Sequence, residues 1–188
     1  MAGGTGVRFW PVSRAAKPKQ FLDVVGTGKT FIQNTYERFL KVVPKENILI
    51  VTGERYRDIV MEQLPELESR NLLLEPYARN TAPCIAYATY TLLKRDPEAR
   101  MVVTPSDHMI ENEELFVETI CNAFESIEEK DVLMTLGVLP TRPDTNYGYV
   151  QAYGGSDVYK SDKPMQVKTF TEKPDKELAK VFISTGEF

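Results

Sequence analysis

The chain has 188 residues and a net charge of −4, with 42% apolar and 27% charged residues, an ordinary soluble α/β composition that argues against disorder. No apolar run reaches membrane-spanning length and no signal-peptide core opens the chain, so neither a membrane nor a secretory leader is expected. Overall acidity argues against a general nucleic-acid surface and leaves only a local anion site open.

The opening stretch, MAGGTGVRFWPVSRAAKPKQF, concentrates charge of the opposite sign. Arg8, Arg14, Lys17 and Lys19 precede the first acid, Asp23, and without them the remaining 19 bases face 27 acids. Gly3, Gly4 and Gly6 permit close backbone approach, so their N–H groups can face phosphate oxygens. A surface turn has the same composition; Arg8 and Lys19 favour the anion by adding charge-assisted donors. Arg14 and Lys17 read as solvated charges. Gly26-Thr27-Gly28-Lys29-Thr30 resembles the end of a Walker A loop, but Asp23 stands where its first glycine belongs, so a turn is expected.

Helix and strand patterns then alternate. Thr30 is placed to cap a helix burying Phe31, Thr35, Phe39 and Val42, and strands are expected over 47–52 and 71–74. Asn80 or Thr81 should cap a second helix, with Pro83 in its first turn and Ile85, Ala88 and Leu92 inside. Glu75, at a strand end before it, is either a surface glutamate or an acceptor for guanine's adjacent N1–H and N2 donors.

A strand over 101–104 leads to Asp107, which suits a helix N-cap or Asx-turn on the one hand, or a Mg²⁺ held against phosphates on the other. His108 is the only histidine, so a zinc site is improbable and a hydrogen-bonded structural role is expected. Cys84 and Cys121 lack metal or redox spacing and read as free thiols of a cytoplasmic protein.

A helix over 113–128 should bury Phe116, Ile120, Ala123 and Ile127, followed by a strand over 132–136. From 141 to 162, Pro, Gly, Asn, Tyr and Asp suggest a loop and hairpin. Gly148 between two tyrosines allows close approach of a ring-shaped ligand or plain aromatic packing. A strand over 167–171 ends at Glu172 and Lys173, which are a solvated pair or an acceptor and donor side by side. The last helix runs into Gly186, a natural C-cap.

Strands alternating with helices predict an α/β, Rossmann-like, doubly wound and mostly parallel sheet, with ligands beyond the strands' carboxyl ends. A phosphate-binding glycine loop needs a strand feeding it, yet only Met1 precedes Ala2-Gly3-Gly4, and two residues follow Gly186. The expectation is a partial domain over 1–188, incomplete at both ends.

In this order AGGTGVRFWPVSR, KPKQF, EPYARNTAP, TPSDH, PxTxYGY and FxEKP resemble the sugar-1-phosphate nucleotidyltransferases, most closely the mannose-1-phosphate guanylyltransferase branch. The resemblance covers essentially the whole chain and identifies it as a partial nucleotidyltransferase domain. It implies transfer of GMP from GTP to mannose 1-phosphate, with Mg²⁺, giving GDP-mannose and pyrophosphate. By that match, Gly3, Gly4 and Gly6 hold the nucleotide, Arg8 and Lys19 its triphosphate, and Glu75, Asn80 and Thr81 the base. Asp107 holds the metal, and Gly148, Glu172 and Lys173 meet the sugar phosphate. Asn146 departs from the family's usual glycine; Asn tolerates a positive φ, so the turn should persist.

Such an enzyme needs no general base, because its phosphate nucleophile is already anionic and alignment and electrostatics suffice. The partners implied are GTP and mannose 1-phosphate, with no nucleic acid or membrane, in a possible homo-oligomer. The alternatives are a related enzyme using another nucleotide or sugar, and a non-catalytic regulatory subunit that binds nucleotide sugars. A dinucleotide oxidoreductase is disfavoured by the GGxGxR form.

Overall fold

The computed structural model describes residues 1–4, 6, 9–128, 130–155 and 163–188. They form two units, Met1–Asn122 and Ala123–Phe188.

In the first unit, α1 (Phe31–Phe39) starts at Thr30, whose N–H donates to Gln33 Oε1 at 2.9 Å. Phe31, Thr35 and Phe39 are buried as expected, while Val42 lies past the helix end and is half-buried. Strand β1 (Ile50–Gly53) begins later than expected, because Lys45–Asn47 forms a 3₁₀ turn. After the short helix α2 (Arg57–Gln63), β2 (Leu72–Glu75) pairs with β1 in parallel, Ile50 opposite Leu72 and Gly53 opposite Glu75.

Alternation along β1 sorts the core. Ile50 packs with Phe21, Ile32, Tyr36, Phe39 and Val60, whereas Val51 packs with Leu73, Cys84 and Ala88. The first group includes α1 and α2 side chains; the second joins Leu73 of β2 to Cys84 and Ala88 of α3 (Thr81–Arg95). Helices therefore cover both faces, as a doubly wound sheet requires. Cys84, not foreseen as core, is buried on α3, while Ile85 and Leu92 are only half-buried.

Two expected strands do not form. Residues 101–104 meet the start of the chain through isolated bonds: the Met1 amino group donates to Thr104 O at 2.9 Å and Ser106 N–H to Met1 O at 3.0 Å. On its other side, Ala2 N–H donates to Val51 O at 2.8 Å. Met1 and Ala2 thus lie between β1 and this segment, but two residues cannot supply a ladder. Residues 132–136 pair with no strand among the described residues, and Leu133 is fully exposed. An apolar run becomes a strand only beside a partner's N–H and C=O groups. The expected single sheet is accordingly two pairs of strands among the described residues.

Helix α4 (Glu113–Ser126) is two residues shorter than expected and fully buries only Ile120 of its four predicted core positions. In the second unit, β3 (Gly148–Ala152) and β4 (Val167–Glu172) form an antiparallel pair, with Gly148 opposite Glu172. Residues 156–162, inside the predicted loop and hairpin, lie outside the described residues. Helix α5 (Lys176–Thr185) is capped by Asp175, which accepts from Leu178 N–H at 2.9 Å, and ends at left-handed Gly186, as expected. Phe182 of α5 packs on Tyr149 of β3, with ring centroids 5.5 Å apart.

Candidate functional site

The first unit gathers most of the nominated residues at the carboxyl ends of β1 and β2. Glu75 is the last residue of β2, and a Cβ built on Gly3 would lie 3.5 Å from its Oε2. Gly6 has φ +61°, and a Cβ there would overlap Ser13 Oγ and lie 3.1 Å from Lys19 Cβ and backbone N. Only glycine lets the loop fold back this tightly on the turn that carries Lys19. Gly4 is exposed, and a Cβ placed on it would meet nothing within 4 Å. Arg8 lies outside the described residues.

Lys19 joins the loop to Asp107. Its Nζ donates to Asp107 O at 3.1 Å and stands 3.6 Å from Asp107 Oδ2. The ammonium also lies 4.6 Å from the centre of the Phe9 ring and 4.8 Å from that of Phe31. The Lys19 side chain is 18% exposed and that of Asp107 39%, so the cation is partly desolvated while the carboxylate keeps an open side. Asp107 caps no helix: Asn112 caps α4, accepting from Leu115 N–H at 3.0 Å. The helix-cap reading of Asp107 is therefore set aside, while residues 106–107 do form a turn, so the turn reading stands beside the metal one.

Asn80 and Thr81 stand at the start of α3 and are exposed. Asn80 occupies the cap position with φ +66°, but its side chain makes no capping bond, contrary to expectation. Among the described residues the cap side chain thus leaves the first amides of α3, which follows the end of β2, without a capping bond. Cys84, one turn on, has its thiol pushed up by burial and further by the Glu75 carboxylate, an inert thiol in an acidic neighbourhood. His108 is exposed and has no hydrogen-bond partner among the described residues, so its expected structural role is not seen. No cluster of three or more His, Cys, Asp or Glu suited to a metal occurs among the described residues.

Gln20 and Thr52 are site residues that sequence pattern does not single out. Gln20 is 3% exposed, and its Nε2 donates to Ala2 O at 2.9 Å and Gly4 O at 3.0 Å. Thr52, fully buried on β1, donates to the same Ala2 oxygen at 2.8 Å. The only signal for Gln20 is its place in KPKQF, next to Lys19.

The second unit brings Gly148, Glu172 and Lys173 together. A Cβ on Gly148 would overlap Phe170 Cζ and lie 2.9 Å from Glu172 Oε2, so these side chains lie directly over the glycine. Lys173 has φ +46°; its N–H donates to Tyr147 O at 3.1 Å and its Nζ stands 2.8 Å from Glu172 Oε1. The turn before Gly148 is held by Asp144. Its Oδ1 accepts from both Asn146 N–H and Nδ2 at 2.9 Å, and its Oδ2 accepts from Arg142 Nη2 at 3.0 Å. These bonds, those from Asn146 first, pull the Asp144 carboxyl down to about 2. Asn146 does not adopt a positive φ. Its turn persists for another reason: its backbone and side-chain N–H groups both bind Asp144.

The nucleotidyl transferase family model matches residues 1–188. A mannose-1-phosphate guanylyltransferase of Klebsiella pneumoniae is 39% identical over 190 residues, covering 100% of this chain and 40% of the relative. A crystal structure described as mannose-1-phosphate geranyltransferase from Thermus thermophilus superposes with a TM-score of 0.87 at 33% identity, over 99% of this chain and 52% of that one. A mannose-6-phosphate isomerase structure from Helicobacter pylori gives a TM-score of 0.75 at 30% identity, over 91% of this chain and 62% of that one. The chain thus spans about 40% of the length of the curated relatives it matches. These likenesses fix the fold as α/β of the nucleotide-sugar transferase type.

Proposed function

The chain belongs to the nucleotidyl transferase family, and from that premise we propose that it serves transfer of GMP from GTP to mannose 1-phosphate, giving GDP-mannose and pyrophosphate. The observation that carries this reading is the glycine loop folded against Lys19, with Asp107 touching that lysine and Glu75 beside Gly3. The names of the most similar relatives point the same way.

An oxygen of mannose 1-phosphate attacks the α-phosphorus of GTP as the bond from that phosphorus to the α–β bridging oxygen breaks, and pyrophosphate leaves carrying the bridging oxygen. No proton moves, so the chain needs no general base. Gly3, Gly4 and Gly6 bring backbone amides to the nucleotide, and Lys19, with Arg8, balances charge developing on the leaving pyrophosphate. The Phe9 and Phe31 rings shield Lys19 from water, which strengthens its interaction with phosphate. Glu75 accepts the two adjacent donors of guanine, with Asn80 and Thr81 at the pocket's edge. Glu172, Lys173 and Gly148 receive the sugar phosphate.

Asp107 fits a Mg²⁺ ligand, because its carboxylate is partly exposed and Lys19 is the one side chain paired with it among the described residues. Bound there, Mg²⁺ would supply Lewis-acid charge to the phosphates. No helix among the described residues is long and apolar enough to cross a membrane; the same reading makes the enzyme cytoplasmic, and a homo-oligomer is compatible with it.

The test is nucleotide competition with Glu75→Gln, which puts a donor where guanine also donates. The preference for GTP over ATP should fall about tenfold. An unchanged preference would remove Glu75 from the base pocket and favour a related enzyme of other nucleotide choice. Nucleotide binding without magnesium-dependent release of pyrophosphate would favour a regulatory subunit.

A further inference from the structure

Gln20 has no part in the chemistry above, yet it is buried and is bonded to two carbonyls of the loop. Burying a carboxamide is unfavourable unless its hydrogen bonds are satisfied, and an aliphatic side chain would fill the place without that demand. Gln20 spends both Nε2 protons on the loop, one on Ala2 O and one on Gly4 O. Thr52 Oγ1 donates to the same Ala2 oxygen, and Ala2 N–H is bound to Val51 O, so the loop's first residue is fixed to β1.

We propose that Gln20 is a positioning residue for the nucleotide, holding the Ala2 and Gly4 carbonyls inward so that the glycine loop presents its amides outward. This rests on the nucleotide-binding reading given above. In a trans peptide the C=O and N–H point in opposite directions, so the bond to Ala2 O turns Gly3 N–H away from Gln20. Among the described residues no backbone acceptor meets the Gly3 or Gly4 amide. The residue before Gln20 is Lys19, whose ammonium reaches Asp107. One short turn, Lys19–Phe21, therefore sets both the loop amides and the cation, and Gln20 fixes the spacing between them.

The experiment measures the GTP dissociation constant calorimetrically, in Mg²⁺, beside the melting temperature without nucleotide. Gln20→Met removes both donors and keeps the volume; Gln20→Asn keeps the amide but is too short to span both carbonyls. Asn71→Ala is the control, since Asn71 is fully buried and hydrogen-bonded to Glu46 O and Arg95, away from the loop. Gln20→Met should weaken GTP binding by about tenfold or more, whereas Asn71→Ala should lower the melting temperature and leave GTP binding at the parent's value. A folded Gln20→Met protein with the parent's affinity would overturn the proposal, as would equal weakening in the control. Should Gln20→Met fail to fold, the same criterion applies to Gln20→Asn. A parent that binds no GTP would overturn the nucleotide reading itself, before any variant is compared.

Discussion

At the residue scale, two glycines with similar backbone angles have different reasons to be glycine. Gly6 and Gly26 have φ of +61° and +73°. A Cβ on Gly26 meets nothing within 4 Å, whereas on Gly6 it overlaps Ser13 Oγ and crowds Lys19. Gly26→Ala should cost only left-handed strain, about 1 kcal/mol in urea unfolding. Gly6→Ala should cost about 2–3 kcal/mol, because crowding adds to the strain, and should also lower turnover by shifting Lys19. Equal losses in the two variants would show that the loop's contact with Lys19 is not tight. The Gly26–Gly28 turn also shows why spacing outranks composition. Its amides are already taken by Asp23, whose oxygens accept from Gly26, Thr27 and Gly28 at 2.8, 3.1 and 2.7 Å. The Walker resemblance fails because Asp23 stands in place of a glycine, and that aspartate is what fills the turn. Lys19 is legible because a base beside glycines suggests an anion. Gln20 is not, because a buried amide is explained only by carbonyls 16 and 18 residues away, which local pattern does not reveal.

At the element scale, the β3–β4 pairing decides what Gly148 and Glu172 can do. Their register places them opposite one another, with the Phe170 ring and the Glu172 carboxylate over the glycine. Phe170 is largely exposed and can swing aside, so Gly148→Ala should change stability by less than about 1 kcal/mol. Glu172 must move with it, and on the proposed reading the KM for mannose 1-phosphate should rise about tenfold while that for GTP holds. A parallel rise in both would place the fault outside the sugar-phosphate side. The turn feeding β3 carries a pH dependence of known sign. The Asp144 carboxyl lies at about 2 in the fold against 3.8 ordinarily, so its contribution to stability is complete above about 4 and disappears as pH falls towards 2. Tyr149 OH also donates to Asp144 O at 3.0 Å, tying the turn to β3. Asp144→Asn should narrow the gap in melting temperature between about pH 7 and about pH 2.5; a gap as wide as the parent's would show that the turn's charge bonds are not kept in solution.

At the scale of the whole molecule, the class is legible because helix and strand periodicities alternate, and β1 sorts its neighbours to two faces as that alternation requires. Residues 101–104 and 132–136 have the composition of strands but no ladder among the described residues, since composition cannot state whether a neighbour will be present. The residues proposed for the nucleotide and its metal that lie among the described ones (Gly3, Gly4, Gly6, Lys19, Glu75, Asn80, Thr81 and Asp107) all fall in the unit Met1–Asn122. That distribution permits one decisive measurement on the 188-residue chain. A ligand that binds only the folded state stabilises it by about 2.7 kcal/mol at a hundredfold excess over its dissociation constant. For a domain of this size each kcal/mol moves the melting point by about 2–4 °C. GTP with Mg²⁺ at that excess should therefore raise it by about 5–10 °C, and ATP, UTP and dTTP at the same concentration by less. The GTP shift should shrink without Mg²⁺ and in Asp107→Ala, which removes a half-exposed carboxylate and no core volume. Equal shifts for all four nucleotides would mean that the loop and Lys19 grip phosphate while Glu75 reads no base. A cooperative melt indifferent to every nucleotide would remove the anion site altogether, and the glycines of the opening stretch would be left with only the tight turn at Gly6 to explain them.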